Sequence, residues 1–136
     1  MRLASLRVAG VLAACLLVGG CTTVHSSGLA FTSEEEGQRG DARFDAAVLK
    51  AHATVREVAR GARLTEFNCS RPGMSCTGYV RGDVIVHAFV TSGPPRRMTV
   101  LISQTTPLMD APVLRLHEEL IARVRGSVAQ VRVETY

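Results

Sequence analysis

The pattern of apolar and polar positions divides the chain into three stretches. An uninterrupted apolar run covers residues 8–18, a polar stretch with few large apolar residues covers 22–40, and a periodic pattern begins at Asp41. A polar stretch rich in Ser, Thr, Gly and Glu without a sustained period is typical of a flexible linker. The pattern of a folded domain therefore begins at residue 41.

Two amphipathic helices are predicted within residues 41–136. In the first, Asp41 is placed to cap the start, apolar residues recur every three or four positions, and Gly61 is near the end. The second follows Pro112 and closes at Gly126, with charged residues spaced for ion pairs on another face. The positions of the two inward faces are Phe44, Val48, Ala51, Val55, Val58 and Ala62, then Leu114, His117, Leu120, Ile121 and Val124.

Short β-branched and aromatic runs lie between the two helices. They cover residues 64–69, 77–81, 84–91 and 98–104. Turn residues such as Gly82-Asp83 separate them, and residues 128–133 are a candidate last strand. The order helix, strands, helix and strand predicts an α+β fold: a two-layer sandwich with two helices and an antiparallel sheet of four to five strands.

The strand predicted at residues 84–91 is apolar on both of its alternating sets of positions. A sheet that is covered on one face only would alternate more cleanly between apolar and polar residues. Two explanations stay open. We favour a second layer of the same chain, such as the helix after Pro112, over the face of Ile85, His87 and Phe89; otherwise that face contacts a partner or a second copy of the chain.

The first residues have the three parts of an export signal. Arg2 and Arg7 form a basic head, residues 8–18 are too short to cross a bilayer as a helix, and Gly19-Gly20 precede Cys21. Residues 17–21, Leu-Val-Gly-Gly-Cys, resemble the lipobox of bacterial lipoproteins that are cut by the lipoprotein signal peptidase. The resemblance implies cleavage before Cys21 and a diacylglyceryl lipid on that cysteine.

This resemblance implies a cell-envelope location and a division of the chain. Residues 1–20 are the signal peptide, 21–40 are the lipidated N-terminus and its flexible tether, and 41–136 are one small α+β domain. Acyl chains on Cys21 anchor the protein to a membrane. Thr22, which is not Asp, leaves the protein free to reach the outer membrane and face the periplasm.

Length and charge exclude several classes of protein. Loss of residues 1–20 leaves 116 residues, which suits one domain and excludes a multidomain enzyme. Of the 16 basic residues Arg2 and Arg7 are lost, so 14 basic residues face 12 acidic ones, a net charge of +2. A net charge this small does not indicate that the protein binds nucleic acid.

Cys69 and Cys76 are the two cysteines left once Cys15 is removed with the signal and Cys21 carries lipid. In an exported chain, two cysteines on either side of a Ser-Arg-Pro-Gly turn predict a local disulfide. The spacing is not that of a CxxC redox motif, and a zinc site would need two more ligands. A structural disulfide is favoured over redox or metal use.

A basic stripe is the candidate binding site on the first helix. His52, Arg56, Arg60 and Arg63 recur at helical spacing beside its apolar face, where they could meet anionic lipid headgroups or an acidic partner. The alternative is that the stripe is simply the solvated face of an amphipathic helix.

No catalytic signature accompanies these features. The sequence has no Gly-x-Ser-x-Gly elbow, no His-Glu-x-x-His and no phosphate loop, and it calls for no cofactor and no metal. The favoured function is a non-enzymatic binding or assembly module that docks on an envelope protein, the cell wall or anionic lipid, or forms a homo-oligomer through an exposed sheet face. The alternative is a small periplasmic hydrolase or metal-dependent enzyme, which requires His52, His87 and His117 to converge.

Overall fold

The computed structural model describes residues 24–34, 41–93, 95–106 and 108–136. The predicted signal peptide, Cys21 and parts of the predicted tether lie outside these residues. Two helices and six strands occur within them, in the order β1 (Val24–Thr32), α1 (Ala42–Gly61), β2 (Thr65–Asn68), β3 (Met74–Arg81), β4 (Val84–Thr91), β5 (Arg97–Thr105), α2 (Ala111–Ser127) and β6 (Val133–Thr135).

The strands form one antiparallel sheet in the order β2-β3-β4-β5-β1-β6. One row of opposed residues across five strands is Glu66, Tyr79, Val86, Ile102 and Ser27. Contacts at both ends of this row place the helices: Arg56 of α1 pairs with Glu66, and His117 of α2 bonds to Ser27. Both helices therefore cover the same side of the sheet, here called the helix face, and the predicted α+β fold is confirmed with six strands.

The core lies between the helix face and the two helices. On this side, most inward residues of β4 and β5 are buried together with the inward residues of the helices. Its members include Val86, Val100 and Ile102 of the sheet, Val55 and Val58 of α1, and Leu116, Leu120 and Val124 of α2. Burial of this apolar surface is the main favourable term in folding.

Strand β1 corrects the prediction of a flexible tether over residues 21–40. Residues 24–32 instead form a nine-residue strand between β5 and β6. Leu29 and Phe31 point to the helix face, where Phe31 meets Phe44 edge-on with 5.6 Å between ring centroids. The strand was missed because its first half is polar and its two buried large residues are too few to establish a period.

Local signals explain where α1 begins and ends. The Asp41 carboxylate accepts hydrogen bonds from the backbone N–H groups of Phe44 and Arg43, which is the geometry of an N-cap. The bond from Phe44 contributes most to holding the pKa of Asp41 below its usual value. After Gly61 the chain turns sharply, because Arg63 has a left-handed φ of 61°.

Two strands, β3 and β6, differ from the prediction by more than one residue. Strand β3 begins at Met74, three residues before the predicted start, and β6 overlaps the predicted segment 128–133 only at Val133 and continues to Thr135. Val128 is fully buried and donates its backbone N–H to Val124, so it closes α2. Its apolar character reflects the helix end and not a strand.

Candidate functional site

The side of the sheet opposite the helices carries the second row of opposed residues, Phe67, Gly78, His87, Leu101 and Gly28. We call this side the open face. Within the described ranges neither helix lies on it, and Ile85, His87, Phe89 and Leu101 are only half-buried. The expectation that the helix after Pro112 covers this side is wrong, because α2 packs on the helix face beside α1.

Aromatic packing shapes the centre of the open face. Phe67 lies directly over Gly78, where an added Cβ would be 2.2 Å from the ring. The Phe67 and His87 rings meet edge-on with 6.1 Å between centroids. Burial lowers the pKa of His87. The imidazole is therefore neutral near pH 7 and extends an apolar patch.

Charge is nearly absent from the open face. Among the strand residues whose register places them here, Arg97 and Glu134 carry a full charge, at the end of β5 and on the edge strand β6. Apart from the His87 imidazole, the other positions are apolar or carry hydroxyl groups, with Tyr136 opposite Gly28 at the margin. A neutral, partly apolar surface of this kind suits contact with another protein surface of low charge.

The predicted basic stripe is not continuous. Arg56 forms a salt bridge with Glu66 at 3.2 Å, which raises the pKa of Arg56. Burial lowers the pKa of His52, and the nearby Arg56 charge lowers it further. Arg63 lies beyond the end of α1, so it does not share a helical face with the others. Arg60 and Arg63 remain exposed and make no salt bridge within the described residues.

The three histidines of the enzymatic alternative do not converge. His87 lies on the open face, whereas His117 lies on the helix face, so the sheet separates them. In the part of the chain that the structure describes, no three His, Cys, Asp or Glu side chains are grouped to hold a metal ion. The constellation which that alternative requires is therefore not formed.

A hydrogen bond between Ser27 Oγ and His117 Nε2 was not expected from the sequence. A serine next to a histidine is the beginning of a nucleophile and base pair. Within the described residues no carboxylate hydrogen-bonds to His117 to orient its ring. The bond joins α2 to β1. It could not be predicted from the sequence, because the segment that contains Ser27 has no strand pattern.

A groove of about 550 Å³ opens between the second half of α1 and the first half of α2. Its walls include Arg81, Arg115 and Arg123. Arg123 is held by Glu57 at 2.8 Å and Glu119 at 3.7 Å, and the Arg81 guanidinium donates to the Ala62 carbonyl. Arg115 makes no salt bridge among the described residues. This groove could not be inferred from the sequence, because Arg81 and Arg115 belong to different elements.

The Sγ atoms of Cys69 and Cys76 are at bonding distance, with their Cα atoms 4.9 Å apart. The Ser70 hydroxyl lies inside the loop, where it accepts from the Cys76 N–H at 3.0 Å. The loop therefore links the end of β2 to the first residues of β3, at the end of the sheet away from Val24.

Replacing both Cys69 and Cys76 by serine should lower the free energy of unfolding by about 2.5 kcal/mol, because an eight-residue loop is no longer closed in the unfolded chain. Urea unfolding of the variant and of the unaltered protein, each with and without reductant, measures this loss. Reductant should bring the unaltered protein to the level of the variant. Equal stability of the variant and the unaltered protein, both measured without reductant, would contradict a stabilising disulfide.

No family model matches the chain, and no curated protein matches it. Among the described residues, no helix is long and apolar enough to cross a membrane.

Proposed function

We propose that this chain is a lipid-anchored protein of the cell envelope that acts as a non-enzymatic binding and assembly module through its open face. The lipobox-like residues 17–21 supply the anchor, on Cys21, and Thr22 favours the outer membrane, facing the periplasm. The observation that carries the binding role is the open face itself, which is neutral, half-buried and without a helix over it in the described residues.

The proposed occupant of the open face is a second copy of the chain. In a two-fold symmetric contact each residue meets the same patch on its partner, so a charged face would repel itself. The centre of this face, at His87, Phe89 and Leu101, carries no such penalty. Four strands of eight or nine residues and two of three or four, spaced about 4.8 Å apart, present about 600 Å² per copy, which approaches the area of a specific interface.

The direction of the strands supports the same arrangement. Strand β1 begins at Val24, close to the proposed anchor, so the strands lead away from the membrane. A two-fold axis along the membrane normal then brings two open faces together while both anchors stay in one bilayer. Sheets packed face to face keep their strands within about 30° of each other, which this axis allows.

The test is photo-crosslinking of the lipidated protein in its native membrane. A photoreactive amino acid replaces Leu101 on the open face in one variant and Leu114, on an exposed side of α2, in a control variant. We expect a crosslinked product with twice the mass of the chain from position 101 and none from position 114.

Three other results would count against the proposal. A product with a different protein at position 101 would overturn the second copy and keep the binding role. No product at position 101 would show that the open face is not a binding surface. An intact-mass measurement that finds a chain beginning at Cys21 but carrying no lipid would overturn the proposed anchor.

A further inference from the structure

One end of the domain collects several segments that are distant in sequence. Strand β1 begins there at Val24, opposite Thr105 at the end of β5. The turn at Gly82 between β3 and β4 lies at the same end, as do the last turn of α1 and the first turn of α2. We call this the anchor end, because it holds the residue nearest to Cys21.

Four arginines extend from the anchor end: Arg60, Arg63, Arg81 and Arg115. All four are exposed, and none is in a salt bridge within the described residues. Two exposed aspartates lie at the same end, where they accept hydrogen bonds from the buried Gln104 amide, Asp83 at 3.2 Å and Asp110 at 2.9 Å, and keep their negative charge. Four arginines against two aspartates leave this end with a net positive charge, and no arginine of the four is neutralised by a salt bridge within the described residues.

Exposed apolar side chains occur at the same end of the domain. Leu108, in the loop between β5 and α2, is 79% exposed, and Val24 is 60% exposed. A mostly exposed aliphatic side chain at the same end as several arginines is typical of a surface that meets a bilayer interface, where apolar groups enter below the headgroups and arginines meet the phosphates.

The covalent chain limits how far this end can be from an anchor at Cys21. Three residues span at most about 11 Å even when fully extended. That reach is comparable with the Debye length of about 10 Å at 0.1 M salt, so lipidation holds the Val24 side of the anchor end within the range of a charged membrane surface.

We propose that the anchor end docks flat on an anionic phospholipid surface, with Arg60, Arg63, Arg81 and Arg115 at the headgroup phosphates and Leu108 at the interface. This inference rests on the proposed lipid anchor and adds to it a fixed orientation. Each arginine near an anionic surface favours the docked state about fivefold. Docking directs the strands away from the membrane. The open face then stays accessible to a second copy of the chain in the same membrane.

The chain contains no tryptophan, so a single introduced one reports its own surroundings. L108W places it at the anchor end. L49W is the control, because Leu49 is 73% exposed on α1 about 18 Å from the end of that helix. The lipidated full chain of each variant is reconstituted into vesicles of phosphatidylcholine with or without phosphatidylglycerol, and brominated lipids serve as quenchers.

We expect a blue shift and bromolipid quenching for L108W in vesicles that contain phosphatidylglycerol, a loss of both in phosphatidylcholine alone, and neither for L49W. Equal quenching of the two variants, or none for L108W, would overturn the docked orientation while the lipid mass still supports the anchor. A chain without lipid would overturn both proposals, and intact-mass analysis separates these cases.

A charge-matched pair isolates the role of the arginines. R63E/R115E, combined with L108W, reverses two charges at the anchor end, whereas R71E/R125E reverses two exposed charges at the opposite end. Both change the net charge equally. The first should abolish most of the quenching and the second should preserve it; equal behaviour would show that net charge, and not this surface, controls contact.

Discussion

Replacing Gly28 by alanine should destabilise the protein by about 3 kcal/mol, the upper end of the usual cost of overpacking. A Cβ at position 28 would lie 2.0 Å from the backbone carbonyl oxygen of Val100 on the neighbouring strand β5. A side chain could rotate away, but the backbone of a central strand cannot. Relief requires β1 and β5 to separate, and backbone hydrogen bonds of the sheet are then lost.

Gly61→Ala is the matched control for this change. Gly61 ends α1, and an added Cβ there meets no atom within 4 Å. That alanine should be neutral or stabilise by about 0.5 kcal/mol, because it restricts the unfolded chain. Urea unfolding measures both variants. Equal stability of the two alanine variants would mean that β1 and β5 can shift apart without loss.

The elements that the sequence predicted well are those with a strong local signal. The period from Phe44 to Val58 and the cap at Asp41 are enough to locate α1, and turn residues on both sides locate β4. Strand β1 lacks such a signal. Ser26, Ser27 and Gly28 are typical of a linker, and they become a strand because β5 and β6 supply partners on both sides.

The candidate site was predictable only where it depends on one segment. The double alternation of β4 indicated that both of its faces are apolar, and Cys69 and Cys76 are close enough in sequence for their spacing to suggest a pair. Which face stays open depends on where α2 packs, and no local pattern of α2 contains that information. The anchor end was likewise hidden, since its four arginines come from four different segments.

Replacing Phe44 by alanine should lower the free energy of unfolding by about 3–5 kcal/mol, more than Gly28→Ala. Phe44 is fully buried at the start of α1, where its ring meets Phe31 of β1. The Arg96 guanidinium lies over the same ring, 4.9 Å from its centroid. The substitution leaves a cavity and removes the aromatic contact that holds β1 to the first helix.

Leu49→Ala is the control on the same helix, because Leu49 is 73% exposed and its truncation should change stability by less than about 0.5 kcal/mol. Phe44→Leu should retain much of the stability, since it keeps most of the buried volume. Urea unfolding compares the three variants. A loss for Phe44→Ala no greater than that for Leu49→Ala would show that this contact does not stabilise the fold.

The same substitution links the fold to the proposed anchor. With β1 paired in the sheet, three residues join Cys21 to the domain, whereas detachment of β1 would lengthen the connection to about 40 Å. In lipidated protein, Phe44→Ala should therefore increase cleavage of residues 24–32 by an added protease, and Leu49→Ala should not. Equal cleavage of the two variants would mean that β1 remains docked without Phe44, and that the anchor stays short for another reason.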